Sequence, residues 1–172
     1  LEALGLQNAA DRVLLAGLRE RAGDPSTALE EVNEALRENP EDSESWHLKA
    51  KLHYVRNEPG RALGALDQLF SLDRQHGPSW ALQSKLLSNE PNRLEDALKA
   101  AVHAVALGEP EWILKADLLM QLDRFEEAIF SLQSVLDIDP DNGLVRAHLS
   151  LLHMLDDNNE VARKILVESS PK

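Results

Sequence analysis

The chain has 172 residues, of which 43% are hydrophobic and 28% charged, a formal net charge of −12 at pH 7, and no cysteine. This composition is typical of a folded globular domain, and its longest apolar stretch, residues 100–107, is far shorter than the ~20 residues of a membrane span. The lack of cysteine excludes disulfides, thiolate metal sites and cysteine nucleophiles, and the acidic charge disfavours binding to nucleic acid.

Residues 1–8 begin the chain and fit the tail of an earlier helix. They contain neither an initiator methionine nor a targeting sequence, so the compartment stays open between cytoplasm and periplasm. The charge is uneven beyond them. Residues 1–45 carry 4 basic and 11 acidic side chains, residues 46–116 carry 9 and 8, and residues 117–172 carry 5 and 11. A nearly neutral middle therefore lies between two acidic ends.

Two markers recur along the chain at a nearly constant distance. Trp46 and Trp80 are 34 residues apart, and Trp112 follows 32 residues later. Alanines that open an apolar helical stripe recur at intervals of 34, 35, 31 and 34, at Ala28, Ala62, Ala97, Ala128 and Ala162. A period in this range is the mark of a stacked-repeat architecture. The sequence therefore predicts five repeats.

Each repeat is predicted to be a pair of helices. The apolar spacing around Trp112, Ala116 and Leu119 is helical, and a second helical stripe begins at Phe125 after the breaker "LDR". Prolines stand at or just before the predicted helix starts, where a missing N–H costs little; they are Pro25, Pro59, Pro78, Pro91 and Pro110. Asp24 is a predicted N-cap, and Gly108 is predicted to end its helix.

These residues resemble the tetratricopeptide repeat family, whose pattern is W-x2-L-G-x2-Y, then A-x3-F, then P. The fourth repeat shows it as Trp112, Ala116, Leu119, Ala128, Leu132 and Pro140. The first repeat shows it as Leu15, Ala16, Ala28, Val32 and Pro40. There are departures: Lys49, Gln83 and Lys115 replace the leucine, and Arg12 and Arg146 replace the tryptophan. The resemblance covers residues 9–172.

The resemblance implies an all-α fold, a right-handed superhelical solenoid of about five helical hairpins in a single array. The expected repeats span residues 9–42, 43–76, 77–108, 109–142 and 143–172. A hairpin of this length cannot bury its apolar face alone and shares it with its neighbours. We therefore expect the tryptophans to be structural and to fill the gaps between helices.

The candidate motifs for a metal site or an enzyme lack the residues or the spacing that such sites need. The stretch "DIDPDNGLVRAH" is similar to a calcium loop, but its glycine, Gly143, comes one place late, and His148 stands where the bidentate glutamate belongs. His47 with His53, and His148 with His153, are six and five residues apart and lie on different helix faces. No nucleophile or phosphate-binding motif is present. We predict no metal, no cofactor and no catalysis.

The resemblance implies that the first helix of every hairpin lines a concave groove for a protein or peptide. The outward residues on these helices are His47, Lys51, Tyr54, Lys85, Asp117 and Met120. Lys51 and Lys85 occupy equivalent places in adjacent repeats and, with Tyr54, are expected to meet a carboxylate or an acidic segment. The predicted function is a scaffold that captures a partner segment within a larger multi-protein assembly.

Two alternatives stay open. The first is self-assembly through exposed end helices, because the last helix, with Val161, Ile165 and Leu166, has no polar capping helix after it. The second is a non-catalytic arm of a larger enzyme. Both keep the helical repeats and differ in what the surfaces contact.

Overall fold

The computed structural model describes residues 8–155, 160–162 and 165. Apart from Asn8, the predicted helix tail over residues 1–8 lies outside the described residues, and so does Leu166. The described part of the chain is all-α. Its helices are α1 (Ala9–Arg21), α2 (Pro25–Glu38), α3 (Ser43–Val55), α4 (Pro59–Leu72), α5 (Gly77–Leu87), a 3-10 turn (Pro91–Arg93), α6 (Leu94–Ala106), α7 (Trp112–Gln121), α8 (Phe125–Ile138) and α9 (Gly143–Leu155).

The helices begin where the sequence supplies caps. Asp24 accepts a hydrogen bond from the backbone N–H of Thr27 at 3.1 Å, so the predicted N-cap of α2 is confirmed. Pro25 and Pro59 are the first residues of α2 and α4, as predicted. Such prolines fix φ in the helical range without removing a needed donor.

Three of the turns inside the hairpins share one geometry. Gly23, Asn57 and Asp123 each have a positive φ, of 81°, 57° and 57°. In each turn the next N–H bonds back to a carbonyl five residues earlier, as Asp24 does to Arg19 at 2.9 Å. This left-handed closure satisfies carbonyls at the helix end. Two of the three turns achieve it without glycine, which the sequence alone did not indicate.

The chain forms two compact units, unit 1 ending at Leu86 and unit 2 beginning at Leu87. In unit 1, one core cluster joins α1, α2 and α3 through Ala16, Ala28, Val32, Leu36, Leu48 and Leu52. A second joins α3, α4 and α5 through Ala50, Ala62, Ala65, Leu66, Leu82 and Leu86. The repeated alanines are fully buried, because helices approach one another there too closely for a larger side chain.

Unit 2 uses the same residue types at the same repeat positions. Its buried apolar side chains are Leu98, Ala97, Ala100, Ala101 and Ala104 on α6, Ala116, Leu118 and Leu119 on α7, Ala128, Leu132 and Val135 on α8, and Val145, Leu149 and Leu152 on α9. Each helix thus buries one stripe of small and medium side chains against its neighbours within the unit.

Two of the three tryptophans hydrogen-bond their helices to the preceding loops. The Trp46 indole N–H donates to the Pro40 carbonyl at 2.8 Å, and that of Trp80 donates to the Arg74 carbonyl at 2.9 Å, six residues earlier in both repeats. The Trp80 ring also stacks on Phe70 with ring centroids 4.1 Å apart. Arg146, which replaces tryptophan, donates to the carbonyl of Pro140, again six residues earlier. The guanidinium therefore takes over the hydrogen bond of the missing indole.

Candidate functional site

The first helices of the first two hairpins enclose a concavity, here called the α1–α3 cleft. Its volume is about 390 Å³. The side chains that line it from α1 include Val13, Leu14, Gly17, Leu18 and Glu20, and those from α3 are Glu44, His47, Leu48 and Lys51. They recur at three- and four-residue spacing, which places them on one face of each helix.

The floor of the α1–α3 cleft presents two exposed leucines. The Leu14 side chain is 65% exposed and that of Leu18 is 54% exposed. Leu52, which holds the place of Leu18 in the second repeat, is fully buried. Apolar side chains that are buried in one repeat and exposed in another mark a surface available for contact.

An ion pair crosses the α1–α3 cleft. The Lys51 ammonium lies 3.1 Å from one carboxylate oxygen of Glu20 and 3.2 Å from the other. The lysine side chain is 41% exposed and the glutamate 18%. A partly exposed pair of this kind contributes little to stability, so its oxygen and nitrogen atoms remain open to exchange with a ligand.

His47, which lines the α1–α3 cleft, belongs to a hydrogen-bonded cluster with Ser79 and His76. The hydroxyl of buried Ser79 lies 2.8 Å from Nδ1 of both His47 and His76, whose ring centroids are 4.8 Å apart. Nε2 of His76 lies 3.2 Å from a carboxylate oxygen of Glu44. Burial, and then the nearby charges of His76 and Lys51, lower the pKa of His47 to about 4. His47 is therefore neutral near pH 7.

The structure brings together two of the six predicted groove residues, His47 and Lys51, which both line the α1–α3 cleft. Tyr54, near the end of α3, is 43% exposed, and Lys85 is exposed on α5. In unit 2, Asp117 and Met120 are half-buried on α7. Burial raises the pKa of Asp117, and the neighbouring His148 opposes this shift.

Sequence reasoning missed the α1 side of the cleft. The exposed leucines, together with Glu20, carry its apolar and acidic character. A usable signal existed, since Leu14 and Leu18 lie four residues apart and match Leu48 and Leu52 one repeat later. Of the described residues, no set of three or more His, Asp or Glu side chains is arranged to hold a metal ion.

Tandem helix pairs with shared cores and a period near 34 residues define the chain as a helical-repeat protein. Residues 9–52 and residues 112–142 each match a sequence model described as a tetratricopeptide repeat. These two matches support a tetratricopeptide repeat protein, as the sequence indicated. No curated protein matches it in sequence. Within the described residues, no helix has the length and apolarity to cross a membrane.

Solved structures of several other proteins show the same fold. MamA 41-end from Desulfovibrio magneticus RS-1 aligns with a TM-score of 0.79 and 19% identity, over 94% of this chain and 92% of that one. YrrB, described as a TPR protein with an unusual peptide-binding site, aligns with a TM-score of 0.74 and 16% identity, over 94% and 84%. Pseudomonas aeruginosa PilF aligns with a TM-score of 0.76 and 14% identity, over 95% and 77%. At these identities the likeness establishes the fold.

Proposed function

We propose that the chain is a protein-interaction module that holds a short segment of a partner protein on the first helices of its hairpins. The observation that carries this proposal is the α1–α3 cleft, where exposed Leu14 and Leu18 lie beside the Glu20–Lys51 ion pair. Within unit 1 the proposed surface also includes His47, Tyr54 and Lys85, and Asp117 and Met120 are proposed as partner-binding residues of unit 2 taken by itself.

The cleft favours a segment with an apolar residue as its anchor. Leu14 and Leu18 are one helical turn apart and expose more than half of their side chains. Covering such a patch with an aliphatic or aromatic side chain removes apolar surface from water, which contributes ~25 cal/mol for each Å² buried. The YrrB structure supports this reading by analogy, because its description names a peptide-binding site in the same fold.

An acidic residue next to the anchor completes the proposed ligand. A carboxylate that reaches Lys51 replaces Glu20, 3.1 Å away, rather than binding an unpaired charge. The exchange is nearly neutral because the pair is partly exposed. Removing the Glu20 charge therefore strengthens binding of an acidic segment, and this sign distinguishes exchange at Lys51 from binding elsewhere. The near-neutral middle of the acidic chain agrees with this preference.

The test begins with random 16-residue peptides displayed on phage and selected on the immobilised chain. Enriched peptides are measured by fluorescence anisotropy against the wild type and four variants. Leu14→Gln with Leu18→Gln, and Lys51→Glu with Lys85→Glu, are each expected to weaken binding at least about tenfold. Glu20→Gln is expected to strengthen it. Arg37→Glu with Lys99→Glu, both on second helices, is the matched charge control and leaves binding unchanged.

Each outcome of this test counts. Unchanged melting temperatures show that the substituted residues are exposed surface positions and that any loss of affinity is local. The proposal fails if no peptide is enriched, or if the leucine and lysine variants bind as tightly as the control. If Glu20→Gln weakens binding, the proposed carboxylate exchange at Lys51 is wrong, and only the proposed apolar anchor stands.

A second candidate function is self-association through apolar helix faces. On α9, Leu144, Leu151 and Leu155 lie on one side of the helix and are 62%, 49% and 59% exposed. Val161, from the predicted end helix, is 36% exposed. Native mass spectrometry at micromolar concentration tests this self-association. Dimers of the wild type that are lost in the variant Leu144→Gln with Leu151→Gln favour stacking, and a monomeric wild type excludes it.

A further inference from the structure

The opposite side of α3 from the α1–α3 cleft faces a second concavity, here called the outer pocket. It lies between α2, α3 and α4 of unit 1, and its volume is about 420 Å³. Trp46, Lys49 and His53 line it from α3, at positions roughly half a turn of the helix away from His47 and Lys51. Leu29 from α2, and Arg61 and Gly64 from α4, also line the outer pocket.

The outer pocket is cationic in a chain with a net charge of −12. Lys49 and Arg61 line it, and none of the described residues in its lining is an aspartate or glutamate. The carboxylate of Glu58 does reach Arg61, at 3.4 Å, but it also binds His53 at 2.6 Å and Arg56 at 3.1 Å. Arg61 is 69% exposed, so its guanidinium is free to turn toward a ligand.

Lys49 is half-buried without a compensating anion. Its ammonium lies 5.0 Å from the centre of the Trp46 ring, and no described residue accepts a hydrogen bond from it or forms an ion pair with it. Burial lowers its pKa, and no neighbouring charge contributes to the shift. A partly desolvated ammonium ion is stabilised by any carboxylate that enters the pocket.

Gly64 leaves part of the outer pocket wall without a side chain. It lies inside α4, where glycine is less favourable than alanine by about 1 kcal/mol. A Cβ at this position would meet no heavy atom within 4 Å outside the local helix backbone. Neither packing nor backbone conformation therefore requires the glycine, and a larger side chain here would extend into the open space of the pocket.

Unit 2 has a pocket at the equivalent place in its repeat, with both cationic and acidic side chains in its lining. Lys115, three residues after Trp112, matches Lys49, three residues after Trp46. By their distance from the repeat alanines, Glu127 matches Arg61 and Phe130 matches Gly64. All three line a pocket of about 360 Å³ in unit 2. At the matching positions a carboxylate replaces the guanidinium and an exposed phenyl ring replaces the glycine, while Arg124 also lines the unit 2 pocket. The repeat fold itself therefore does not require the combination found in unit 1.

We infer that the outer pocket binds an acidic segment of a partner protein, with one carboxylate side chain between Lys49 and Arg61 and an adjacent aliphatic side chain against Leu29 and Gly64. The single half-buried ammonium suits a singly charged carboxylate, because desolvating a second negative charge costs more than one point charge returns. The volume accommodates one or two side chains. This site is separate from the α1–α3 cleft, and neither proposal depends on the other.

The experiment follows the three indole N–H signals by nitrogen-15 NMR. The probe is a capped peptide with one leucine–glutamate pair in a glycine–serine background, and the reference peptide carries leucine–glutamine. Trp46 lines the outer pocket, whereas Trp80 and Trp112 do not, so they are internal controls. We expect the glutamate peptide to shift the Trp46 signal saturably below about 10 mM. Lys49→Met and Gly64→Leu are each expected to weaken this binding at least about tenfold, and Lys115→Met leaves it unchanged.

The remaining outcomes overturn the inference. Equal shifts with both peptides mean that the pocket is an apolar crevice without acid selectivity. Equal shifts of all three indole signals mean non-specific association, and no shift at about 10 mM means no site. Leu14→Gln with Leu18→Gln leaves the Trp46 response intact, so failure here is distinguishable from failure of the α1–α3 cleft. A melting temperature for each variant confirms that it is folded.

Discussion

Half-buried His47 makes the stability of this chain depend on pH between neutrality and pH 4. The pKa of His47 falls from its ordinary value of 6.5 to about 4 in the folded state. Because the folded pKa is depressed, the unfolded chain takes up a proton before the folded chain does, and stability is lost as pH falls. Linkage gives a loss of about 2 kcal/mol between pH 7 and pH 5, rising to on the order of 3 kcal/mol below pH 4.

The assay is urea unfolding of the wild type and of His47→Gln at pH 7 and pH 5. Glutamine carries no titratable group and still offers a hydrogen bond to the Ser79 hydroxyl. The other titrating groups are common to both proteins, so the difference between their pH dependences isolates His47. The window lies above the range in which Asp24, Glu58 and Glu127, whose pKa values are lowered by hydrogen bonds, lose their contributions. Equal losses of stability in the two proteins would falsify this account.

Two further predictions concern packing and turns. Trp80→Ala removes the ring stacked on Phe70 and the hydrogen bond to Arg74, and is expected to lower the free energy of unfolding by about 3 kcal/mol. The control is Leu72→Ala, because the Leu72 side chain is 43% exposed. A loss for Trp80→Ala as small as that of the control would show that the tryptophan is not a structural anchor. Asp123→Gly relieves a positive φ of 57° and is expected to add about 0.5 to 1 kcal/mol, which thermal unfolding measures; an unchanged or lower melting temperature argues that the aspartate side chain supports the turn.

Most of the fold could be predicted from the repeat period. Tryptophans and alanines recur because every hairpin solves the same packing problem, so one recognised repeat predicts the helices of the others. Gly108 follows α6 with a φ of 93°, in agreement with its predicted role as a helix terminator. The division into five repeats at the stated boundaries stays a prediction, as does the groove formed by the six outward residues.

The candidate site was harder to predict because its contacts join residues distant in sequence. Lys51 and Glu20 are 31 residues apart, and His47 and Ser79 are 32 apart. A helical period places each side chain on a face, but it does not say which rotamer pairs with a neighbour in the adjacent repeat. For the same reason the sequence presented Lys51 as an available cation, whereas the structure pairs it with Glu20.

Two lysines replace the leucine of the repeat pattern, and their surroundings differ. Lys49 and Lys115 break the pattern at the same repeat position, and burial lowers the pKa of both. Glu127 opposes the shift at Lys115, while no charge does so at Lys49. The surroundings of each lysine therefore depend on the next helix. Glutamate and phenylalanine on α8 lie near Lys115, and arginine and glycine on α4 lie near Lys49. Exchanging these pairs, as Arg61→Glu with Gly64→Phe, should give the outer pocket the character of its counterpart in unit 2 and abolish its response to the acidic peptide. Retained binding in that variant would place the recognition elsewhere on α3.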